Sequence, residues 1–339
     1  MTTTKATTST MNAIVQAGYG PPQRVLSMRA VDRPPVGDED VMVRVRATSV
    51  NTPDWIAVSG TPYILRLQSG LRRPKTRVRG TDVAGVVEVV GGDVTDFRPG
   101  DEVFGSTWAG SRATPGTFAE LTVVPASQLF AKPPNISFEE AAASVMSGIT
   151  ALIAMRDVGK VIPGSHVLIN GASGGVGTLA VQIAKALGAE VTGVSSTRNL
   201  EFVRSLGADH VIDYTKEDFT LGAPRYDVIL DNVMNHPPSV TSKVLTPTGM
   251  LIPNSIGNSG GLLAGLLRGA RAALLARGST NVQFVKCEVN REYLDALATL
   301  LRTGEVKVPI DETYQLSDAA DAVAHMLGHH ARGKVAITV

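Results

Sequence analysis

The segment Val167-Leu-Ile-Asn-Gly-Ala-Ser-Gly-Gly-Val-Gly177 decides the fold of this chain. It begins with a continuous apolar run, which is typical of a parallel strand that is buried on both faces. A glycine-rich turn follows, and a helical pattern runs from Gly175 to Leu187. A strand, a glycine-rich turn and a helix in this order predict a unit that binds a phosphate group at the helix N-terminus.

Strands and helices alternate around this segment. The predicted strands cover residues 165–171, 190–195, 210–213, 226–231 and 249–254. The predicted helices cover residues 141–155, 175–187, 199–206 and 239–245, and Ser137 and Glu140 have the spacing of a capping box before the first of them. Because such alternation indicates βαβ units, the sequence predicts an α/β fold with a doubly wound parallel sheet of the Rossmann type.

Residues 11–130 have a different character, with short β-like runs between turn signals. The predicted strands cover residues 12–16, 41–48, 83–90, 102–104 and 118–124. Apolar and polar residues alternate in the second and third runs, as in strands with one buried face. This part of the chain therefore predicts a second, β-rich domain, and the Thr-rich residues 1–10 predict a disordered tail.

Charge and cysteine content exclude several classes of function. The 339 residues carry 32 Lys and Arg against 31 Asp and Glu, a net charge of +1. Such a chain has no electrostatic basis for binding a nucleic acid or an anionic membrane. A single cysteine, Cys287, excludes an internal disulfide and a Cys-rich zinc knuckle. No apolar segment follows residues 1–10, so no export signal is expected and the protein is predicted to be cytoplasmic.

The most apolar stretch covers residues 262–276. Arg268 and Arg271 interrupt it, and it is too short to span a bilayer. Its many Leu and Ala side chains indicate burial against the substrate, as a lid, or against a partner chain. A homodimer is the expected assembly.

The glycine-rich turn is the expected pyrophosphate site. Gly174 and Gly175 allow the backbone to approach the ligand, and Gly177 allows the helix to pack closely on the strand. Ala172 stands where the usual pattern has its first glycine. The loop residues expected to bind the cofactor are Ala172, Ser173, Gly174, Gly175, Val176 and Gly177. A glycine-rich turn without a ligand is the alternative, which the surrounding βαβ series disfavours.

The end of the second predicted strand indicates which dinucleotide binds. A site for NAD usually has an acidic residue there, which binds the ribose 2′-hydroxyl. Residues 191–200 contain no acid, and Ser196, Thr197 and Arg198 are suited to a 2′-phosphate instead. The predicted cofactor is therefore NADPH. Alternatively, Ser196 and Thr197 only cap the next helix and Arg198 lies in solvent, although both descriptions can hold together.

Several stretches resemble one known family when they are taken in order. They are Ser49-Val-Asn-Thr-Pro-Asp54, Gly80-Thr-Asp-Val-Ala-Gly-Val-Val-Glu-Val-Val-Gly91, Phe97-Arg-Pro-Gly-Asp-Glu-Val-Phe104, Gly116-Thr-Phe-Ala-Glu120, Gly148-Ile-Thr-Ala151, the glycine-rich turn, Leu206-Gly-Ala-Asp-His-Val-Ile-Asp213 and Arg332-Gly-Lys334. With them the sequence resembles the medium-chain dehydrogenase/reductase superfamily, in its zinc-free, quinone oxidoreductase-like branch. The resemblance covers nearly the whole chain after Met11.

The resemblance implies two domains and a cleft between them. A GroES-like catalytic domain would comprise residues 1–132 and 283–339, and a Rossmann NADPH-binding domain would comprise residues 133–282. Thr150 would face the nicotinamide, Tyr214 the adenosine phosphate end, and Lys334 the ribose or the phosphates. The cofactor groove would be lined by Asn232, Val233, Ser255 and Ile256.

The sequence departs from the zinc-dependent members of this superfamily. Asn51 stands near the place of their catalytic cysteine, Thr81 stands where they have a histidine, and their four-cysteine structural lobe is absent. No metal is therefore expected. The quinone oxidoreductase branch often has a tyrosine two residues after Asp54, but this chain has Ile56 there, with Trp55 beside it. Proton delivery by a tyrosine is therefore in doubt.

The candidate catalytic residues lie in the β-rich part. Asn51 is a candidate hydrogen-bond donor or substrate-positioning residue, and Asp54, Tyr63 and Lys75 are further polar candidates. Alternatively, Asp54 caps a short helix that begins at Pro53, and Tyr63 is an exposed loop aromatic. The sequence offers no compelling general acid, so water is a candidate proton source.

Six basic residues occur between positions 66 and 79: Arg66, Arg72, Arg73, Lys75, Arg77 and Arg79. They could attract an acidic substrate, or they could form a solvated loop.

These observations predict a zinc-independent oxidoreductase that transfers hydride from NADPH to a small hydrophobic acceptor, either a quinone or an α,β-unsaturated carbonyl compound. The alternatives are an alcohol or carbonyl oxidoreductase of the same superfamily and a non-catalytic NADPH-binding scaffold.

Overall fold

A computed structural model describes residues 10–61, 63, 66–108, 115–222, 225–255, 281–328 and 331–339. Residues 1–9 of the predicted tail, Ile256 and the apolar stretch 262–276 lie outside the described residues.

The β-rich part is built from both ends of the described chain. Its strands are β1 (Thr10–Gln16), β2 (Leu26–Asp32), β3 (Asp40–Ser49), β4 (Asp82–Val90), β5 (Glu102–Ser106), β6 (Leu121–Pro125) and β7 (Leu129–Ala131). Two strands from near the C-terminus, labelled β13 (Ile310–Gln315) and β14 (Lys334–Thr338), extend the same sheet. The strand order is β13-β14-β3-β4-β5-β7, β6 also pairs with β3, and β1 and β2 form a separate antiparallel pair.

The second sheet is parallel and has the expected Rossmann order. Its strands are β8 (His166–Asn170), β9 (Glu190–Ser195), β10 (His210–Asp213), β11 (Tyr226–Asp231) and β12 (Leu245–Pro253). They are arranged β10-β9-β8-β11-β12, so the direction of strand addition reverses between β8 and β11. Ligands of open α/β sheets bind at the carboxyl ends of the strands beside such a reversal. The predicted fold class, a Rossmann sheet with a GroES-like β-rich domain, is confirmed.

The α-helices connect and cover these sheets. Their bounds are Pro22–Val25, Thr52–Ser59, Arg66–Ser69, Phe138–Leu152, Gly175–Ala186, Leu200–Ser205, Pro238–Thr241, Arg291–Thr303 and Ala319–Leu327. We call Phe138–Leu152 the central helix and Gly175–Ala186 the cofactor helix.

The central helix lies between the two sheets. Its predicted capping box is present, since the Glu140 amide donates to Ser137 Oγ at 3.1 Å and the Ser137 amide donates to Glu140 Oε2 at 2.8 Å. Every residue from Ala141 to Leu152 is buried. The chain continues as a π-helical segment, Ile153–Val158. The combined helix, Phe138–Val158, is long and apolar enough to span a membrane, but 89% of its apolar 18-residue segment is buried inside the protein.

Some elements differ from the sequence prediction. The helix expected over residues 239–245 is a single α-helical turn, Pro238–Thr241, followed by a 3-10 turn. Strands β2 and β13 were not predicted, and the helix Thr52–Ser59 is the short helix that the sequence offered as an alternative at Pro53. Most residues of β2 and β13 are exposed, so neither strand carries the apolar alternation that signals a buried face.

Candidate active site and cofactor groove

The glycine-rich turn has the geometry of a phosphate-binding loop. Gly171 adopts a φ of +77°, which lets the chain reverse after β8. Gly174 is the N-cap of the cofactor helix, whose first bond runs from the Thr178 amide to the Gly174 carbonyl at 2.9 Å. A Cβ on Gly177 would lie 2.2 Å from the Gly171 carbonyl oxygen, so only glycine permits this approach of helix to turn. The loop is a preformed anion site, and its contacts with a pyrophosphate stay a prediction.

The C-terminal strand begins on this loop. The Gly333 amide donates to the Ser173 carbonyl at 2.9 Å, and Arg332 Nη2 donates to the Arg198 carbonyl at 3.3 Å. The exposed side chains of Arg198 and Arg332 therefore belong to neighbouring backbone segments at the predicted 2′-phosphate end. Sequence analysis identified Arg198 but not Arg332, because the two residues are separated by 134 positions.

Asn199 links this end of the groove to the glycine-rich turn. Its Nδ2 donates to Ser173 Oγ at 3.1 Å. Its Oδ1 is buried and accepts no hydrogen bond from any described residue. A buried amide oxygen without a donor is costly, and a ribose hydroxyl in the groove would satisfy it. The residues at this end therefore fit the ribose and phosphate of a dinucleotide.

The contacts of Thr197 contradict its expected role as a ligand of the 2′-phosphate. Its hydroxyl donates to Asp213 Oδ2 at 2.5 Å, so its one proton is not available to a phosphate. Hydrogen bonds from Thr197 and Thr215 lower the pKa of Asp213 to about 2. The capping alternative also fails, because Ser196 is the N-cap of the turn Thr197–Asn199 but its side chain makes no capping bond.

Tyr214 follows β10 and is 57% exposed, with its amide bonded to the Ser195 carbonyl at 3.1 Å. This places an accessible aromatic ring beside the end of β9, as expected for the adenosine end.

A polar network closes the other side of the groove. Asn170 Nδ2 donates to Asp231 Oδ1 at 2.8 Å, and the same oxygen accepts from the amides of Val233 and Met234. Asn232 Nδ2 donates to the Asn170 carbonyl at 3.1 Å. The predicted groove residues Asn232 and Val233 are therefore held at the carboxyl ends of β8 and β11. Ser255, which is partly exposed, follows β12 at the same edge.

A second polar cluster lies under the junction of the two domains. Asn51 Nδ2 donates to Asp82 Oδ2 at 2.7 Å and to Thr81 Oγ1 at 3.3 Å. Ser49 Oγ donates to the same Asp82 oxygen at 2.9 Å. On the other side, Lys334 Nζ donates to Asn51 Oδ1 at 2.5 Å. We call Ser49, Asn51, Thr81, Asp82 and Lys334 the amide cluster.

Burial controls the charges of this cluster. Asp82 is 0% exposed and Lys334 is 4% exposed. Burial raises the pKa of Asp82 and lowers the pKa of Lys334, and the attraction between the two groups opposes both shifts. No described residue donates to Asp82 Oδ1. The Lys334 side chain passes the glycine-rich turn, where its Cδ lies 3.0 Å from the position of a Cβ on Gly175, and its ammonium group donates to Asn51 and to the Val50 carbonyl, 3.1 Å away. Its expected contact with the cofactor ribose or phosphates stays a prediction.

Thr150 and Cys287 border the amide cluster. Burial raises the pKa of the Cys287 thiol to about 11, the negative charge of Asp82 adds to the rise, and a hydrogen bond with Thr150 opposes it. The Met146 amide, on the same helix as Thr150, lies 3.4 Å from Asp82 Oδ2. The residue expected to face the nicotinamide is therefore close to the cluster.

Asp54 has the capping role that the sequence left open. Its Oδ2 accepts from the Asn51 amide at 2.8 Å, and its Oδ1 accepts from the Gly80 amide at 3.1 Å. Both carboxylate oxygens therefore accept hydrogen bonds from backbone amides, and the structure does not support a catalytic role for Asp54. Burial raises the pKa of Asp54 to about 7, against the hydrogen bond from Asn51.

Tyr63 and Lys75 lie outside the amide cluster, which corrects their assignment as catalytic candidates. Tyr63 is 64% exposed and stacks on the Arg66 guanidinium, whose carbon lies 4.6 Å from the ring centre. Lys75 is exposed on the loop that follows. Arg66 also donates to the Gly60 carbonyl at 2.8 Å, and Arg79 donates to Gln16 Oε1 at 2.5 Å. These two basic residues hold the loop together, and Arg72, Arg73 and Lys75 stay exposed.

The amide cluster does not fit a zinc ion. The amide of Asn51 and the hydroxyl of Thr81 stand where the zinc-dependent members have a cysteine and a histidine, and the adjacent ammonium group of Lys334 has no lone pair to offer. Among the residues that the structure describes, no three His, Cys, Asp or Glu side chains are placed to hold a metal ion.

Two family descriptions match the chain. A zinc-binding dehydrogenase family matches residues 206–337, and an alcohol dehydrogenase GroES-like domain matches residues 37–134.

The chain is also similar to individual proteins along its length. It is 32% identical to the chloroplastic quinone-oxidoreductase QR1 of Triphysaria versicolor, over 96% of this chain and 98% of that protein. It is 32% identical to the mitochondrial NAD(P)H oxidoreductase RTN4IP1 of Mus musculus, over 100% of this chain and 92% of that protein. The solved structure of the quinone oxidoreductase from Coxiella burnetii matches with a TM-score of 0.84 at 28% identity, over 98% of this chain and all of that one. Since the first two relatives are organellar, these similarities do not favour the predicted cytoplasmic location.

Proposed function

The chain belongs to the medium-chain dehydrogenase/reductase superfamily, in its quinone oxidoreductase-like branch, and we propose that it is an NADPH-dependent reductase that works without zinc. Its acceptors are small, hydrophobic quinones or α,β-unsaturated carbonyl compounds. Membership of the superfamily supports an oxidoreductase, and we propose further that it uses NADPH, reduces these acceptors and needs no metal.

The observation that carries the proposal is the bond from the Lys334 ammonium to Asn51 Oδ1. It puts a monovalent, internal cation beside the position where zinc-dependent relatives bind their metal. In the zinc-dependent members a Lewis acid stabilises the alkoxide formed during alcohol oxidation, and this cluster offers no ligand set for one. Reduction of an enone or a quinone needs only hydrogen-bond donors at the oxygen on which negative charge develops.

Bound NADPH supplies the hydride. The glycine-rich turn binds the pyrophosphate, and Arg198, Arg332 and Ser196 bind the 2′-phosphate. The central helix presents Thr150 to the nicotinamide side of the cleft. The buried cluster under that cleft excludes water from the reacting atoms and provides fixed polar groups.

The test is oxidation of NADPH and NADH by the purified protein with quinones, alkenals and cyclic enones, with and without a chelator. We expect turnover that prefers NADPH and is unchanged by the chelator. Loss of turnover with chelator, restored by Zn²⁺, would favour the alcohol or carbonyl oxidoreductase. Tight NADPH binding without turnover of any acceptor would favour a scaffold.

We also propose that the protein is a homodimer and that it is located in the cytoplasm. A homodimer and a cytoplasmic location are testable by light scattering and by localisation of a tagged protein, and binding to nucleic acid or membranes is not expected at a net charge of +1.

A further inference from the structure

The Asn51 amide is fully occupied by the protein. Its Oδ1 faces the Lys334 ammonium, which can only donate, so the amide group must point its NH₂ the other way. That NH₂ donates to Asp82 Oδ2 and to Thr81 Oγ1. Asn51 therefore has no proton left for an acceptor molecule in the cleft, which excludes the direct donor role considered from the sequence.

The occupied amide determines the orientation of the Thr81 hydroxyl. A hydroxyl has one proton and two lone pairs, and Thr81 Oγ1 uses a lone pair to accept from Asn51. Asn51 Nδ2 has no lone pair to accept in return. Among the described residues, no acceptor is bonded to the Thr81 proton, so this proton is free to point into the cleft.

Thr81 is placed where an acceptor molecule would lie. It immediately precedes β4 and is half-buried, whereas its neighbours Asn51 and Asp82 are 3% and 0% exposed. Asp82 Oδ2 contacts the Met146 amide of the central helix, and the charge of Asp82 acts on Cys287, which bonds to Thr150. Thr81 is thus the accessible member of a cluster that reaches the predicted nicotinamide position.

We propose that the Thr81 hydroxyl is a catalytic hydrogen-bond donor to the carbonyl oxygen of the acceptor, held in place by the positioning pair Lys334 and Asn51. This assignment rests on the proposed reductase function, and it identifies the hydrogen-bond donor that the reduction requires at the carbonyl oxygen. Donation from Asn51 to Thr81 Oγ1 also strengthens the hydroxyl as a donor, because hydrogen bonds in a chain polarise one another.

The reaction balances without a protein acid. Hydride transfer would break a C–H bond of the reduced nicotinamide, leave it oxidised, and form a new C–H bond at the β-carbon of an enone. The C=C π pair then forms the enolate double bond to the carbonyl carbon, and the C=O π pair moves onto the oxygen. The Thr81 hydrogen bond stabilises that enolate oxygen, and water supplies the proton that completes the saturated ketone. For a quinone, hydride addition gives a hydroquinone anion, which Thr81 stabilises and water protonates.

The test compares Thr81→Val, which keeps the side-chain shape, with Thr81→Ser, which keeps the hydroxyl. We expect the valine variant to lose kcat on the order of 10²-fold, the typical effect of removing one oxyanion donor. NADPH affinity, measured by fluorescence titration, should stay within about twofold of the wild type, since a kcat loss without a binding loss marks a donor used at the transition state. The serine variant should retain most of the activity.

Thr95→Val, on an exposed loop, is the matched control and should leave kcat unchanged. A valine variant of Thr81 that folds and turns over at the wild-type rate would overturn the assignment alone. Equal losses in NADPH affinity and kcat would also overturn it, since Thr81 would then serve the cofactor. A wild-type protein that reduces none of the acceptors would overturn the proposed function, and this assignment with it.

Discussion

Lys334 Nζ lies 2.5 Å from Asn51 Oδ1, so the first residue of the last strand is bonded to the residue that precedes the helix Thr52–Ser59. The two residues are 283 positions apart. Through Asn51 the ammonium group is connected to the buried carboxylate of Asp82. The ammonium group of Lys334, the amide of Asn51 and the carboxylate of Asp82 are bonded in series at the centre of the cleft. The attraction between the two opposite charges offsets the cost of burying each of them.

Substitution of Lys334 should show how much its charge stabilises the buried carboxylate of Asp82. We expect Lys334→Met to lower the free energy of unfolding by about 3–5 kcal/mol, because Asp82 would remain as an uncompensated buried charge. Combining it with Asp82→Asn should recover about 1–3 kcal/mol of that loss as coupling energy. The measurement is a double-mutant cycle by urea denaturation. Lys307→Met, an exposed control, should be additive with Asp82→Asn.

Asp54 should make stability depend on pH in a defined direction. Its folded pKa of about 7 lies above the ordinary value of 3.8, so the folded state holds this proton more tightly than the unfolded state. The corresponding stabilisation is present below pH 4 and is lost as the pH rises through 7. Asp54→Asn cannot ionise, so its free energy of unfolding minus that of the wild type should rise by about 3 kcal/mol from pH 5 to pH 8.

Urea denaturation of both proteins at these two pH values measures that difference. The asparagine variant loses one backbone contact at every pH, which shifts its stability by a constant and does not affect the comparison. An unchanged difference between pH 5 and pH 8 would contradict the raised pKa.

Local patterns predicted much of the fold. The apolar run at the start of β8, the glycines at 174, 175 and 177 and the Ser137 capping box are all contained within short windows of sequence. Each depends on neighbours in the chain, so the residues alone carry the signal. Strands β2 and β13 were missed because most of their side chains are exposed, and the pairing that forms them comes from distant strands.

The site was less predictable because its bonds join distant residues. Thr197 was expected to bind phosphate, but its hydroxyl donates its hydrogen bond to a carboxylate 16 positions later in the chain. Asp82 was not singled out as a site residue, and its partners come from two separate segments, Ser49 and Asn51 from one and the Met146 amide from the other. Asn51 was singled out as a candidate, but that its amide oxygen accepts from the Lys334 ammonium is visible only in the folded structure.

The guanidinium pair at the groove end should determine the preference for NADPH. We expect Arg198→Ala and Arg332→Ala each to raise the Kd for NADPH by about 10- to 100-fold, the effect of one lost charge-assisted hydrogen bond. The Kd for NADH should change little, because it has no 2′-phosphate. Fluorescence titration with both cofactors measures this ratio. Arg204→Ala is the matched control, since Arg204 is a surface residue paired with Glu201.

If both variants keep the NADPH-to-NADH ratio of the wild type, the assigned 2′-phosphate end is wrong. A wild type that already binds NADH more tightly would point instead to Asp213, the ionised carboxylate at the neighbouring strand end.

Substitutions at two glycines of the turn should distinguish an effect on folding from an effect on cofactor binding. A Cβ at position 177 would lie 2.2 Å from the Gly171 carbonyl oxygen, so Gly177→Ala must displace the cofactor helix and should lower both Tm and NADPH affinity. A Cβ at position 174 would lie 3.5 Å from the same oxygen, an ordinary contact. Gly174→Ala should therefore keep the wild-type Tm and still lose NADPH affinity by about tenfold or more, because the methyl group occupies the space that the pyrophosphate needs.

Thermal melts and fluorescence titration measure the two effects separately. Gly18→Ala, which has open space around its Cβ position, is the control and should change neither quantity. A Gly174→Ala protein with normal Tm and normal NADPH affinity would show that the ligand does not approach this turn. Loss of affinity in Gly174→Ala at an unchanged Tm would locate the pyrophosphate at the N-terminus of the cofactor helix, because the folded loop would then differ from the wild type only by a methyl group on its ligand face.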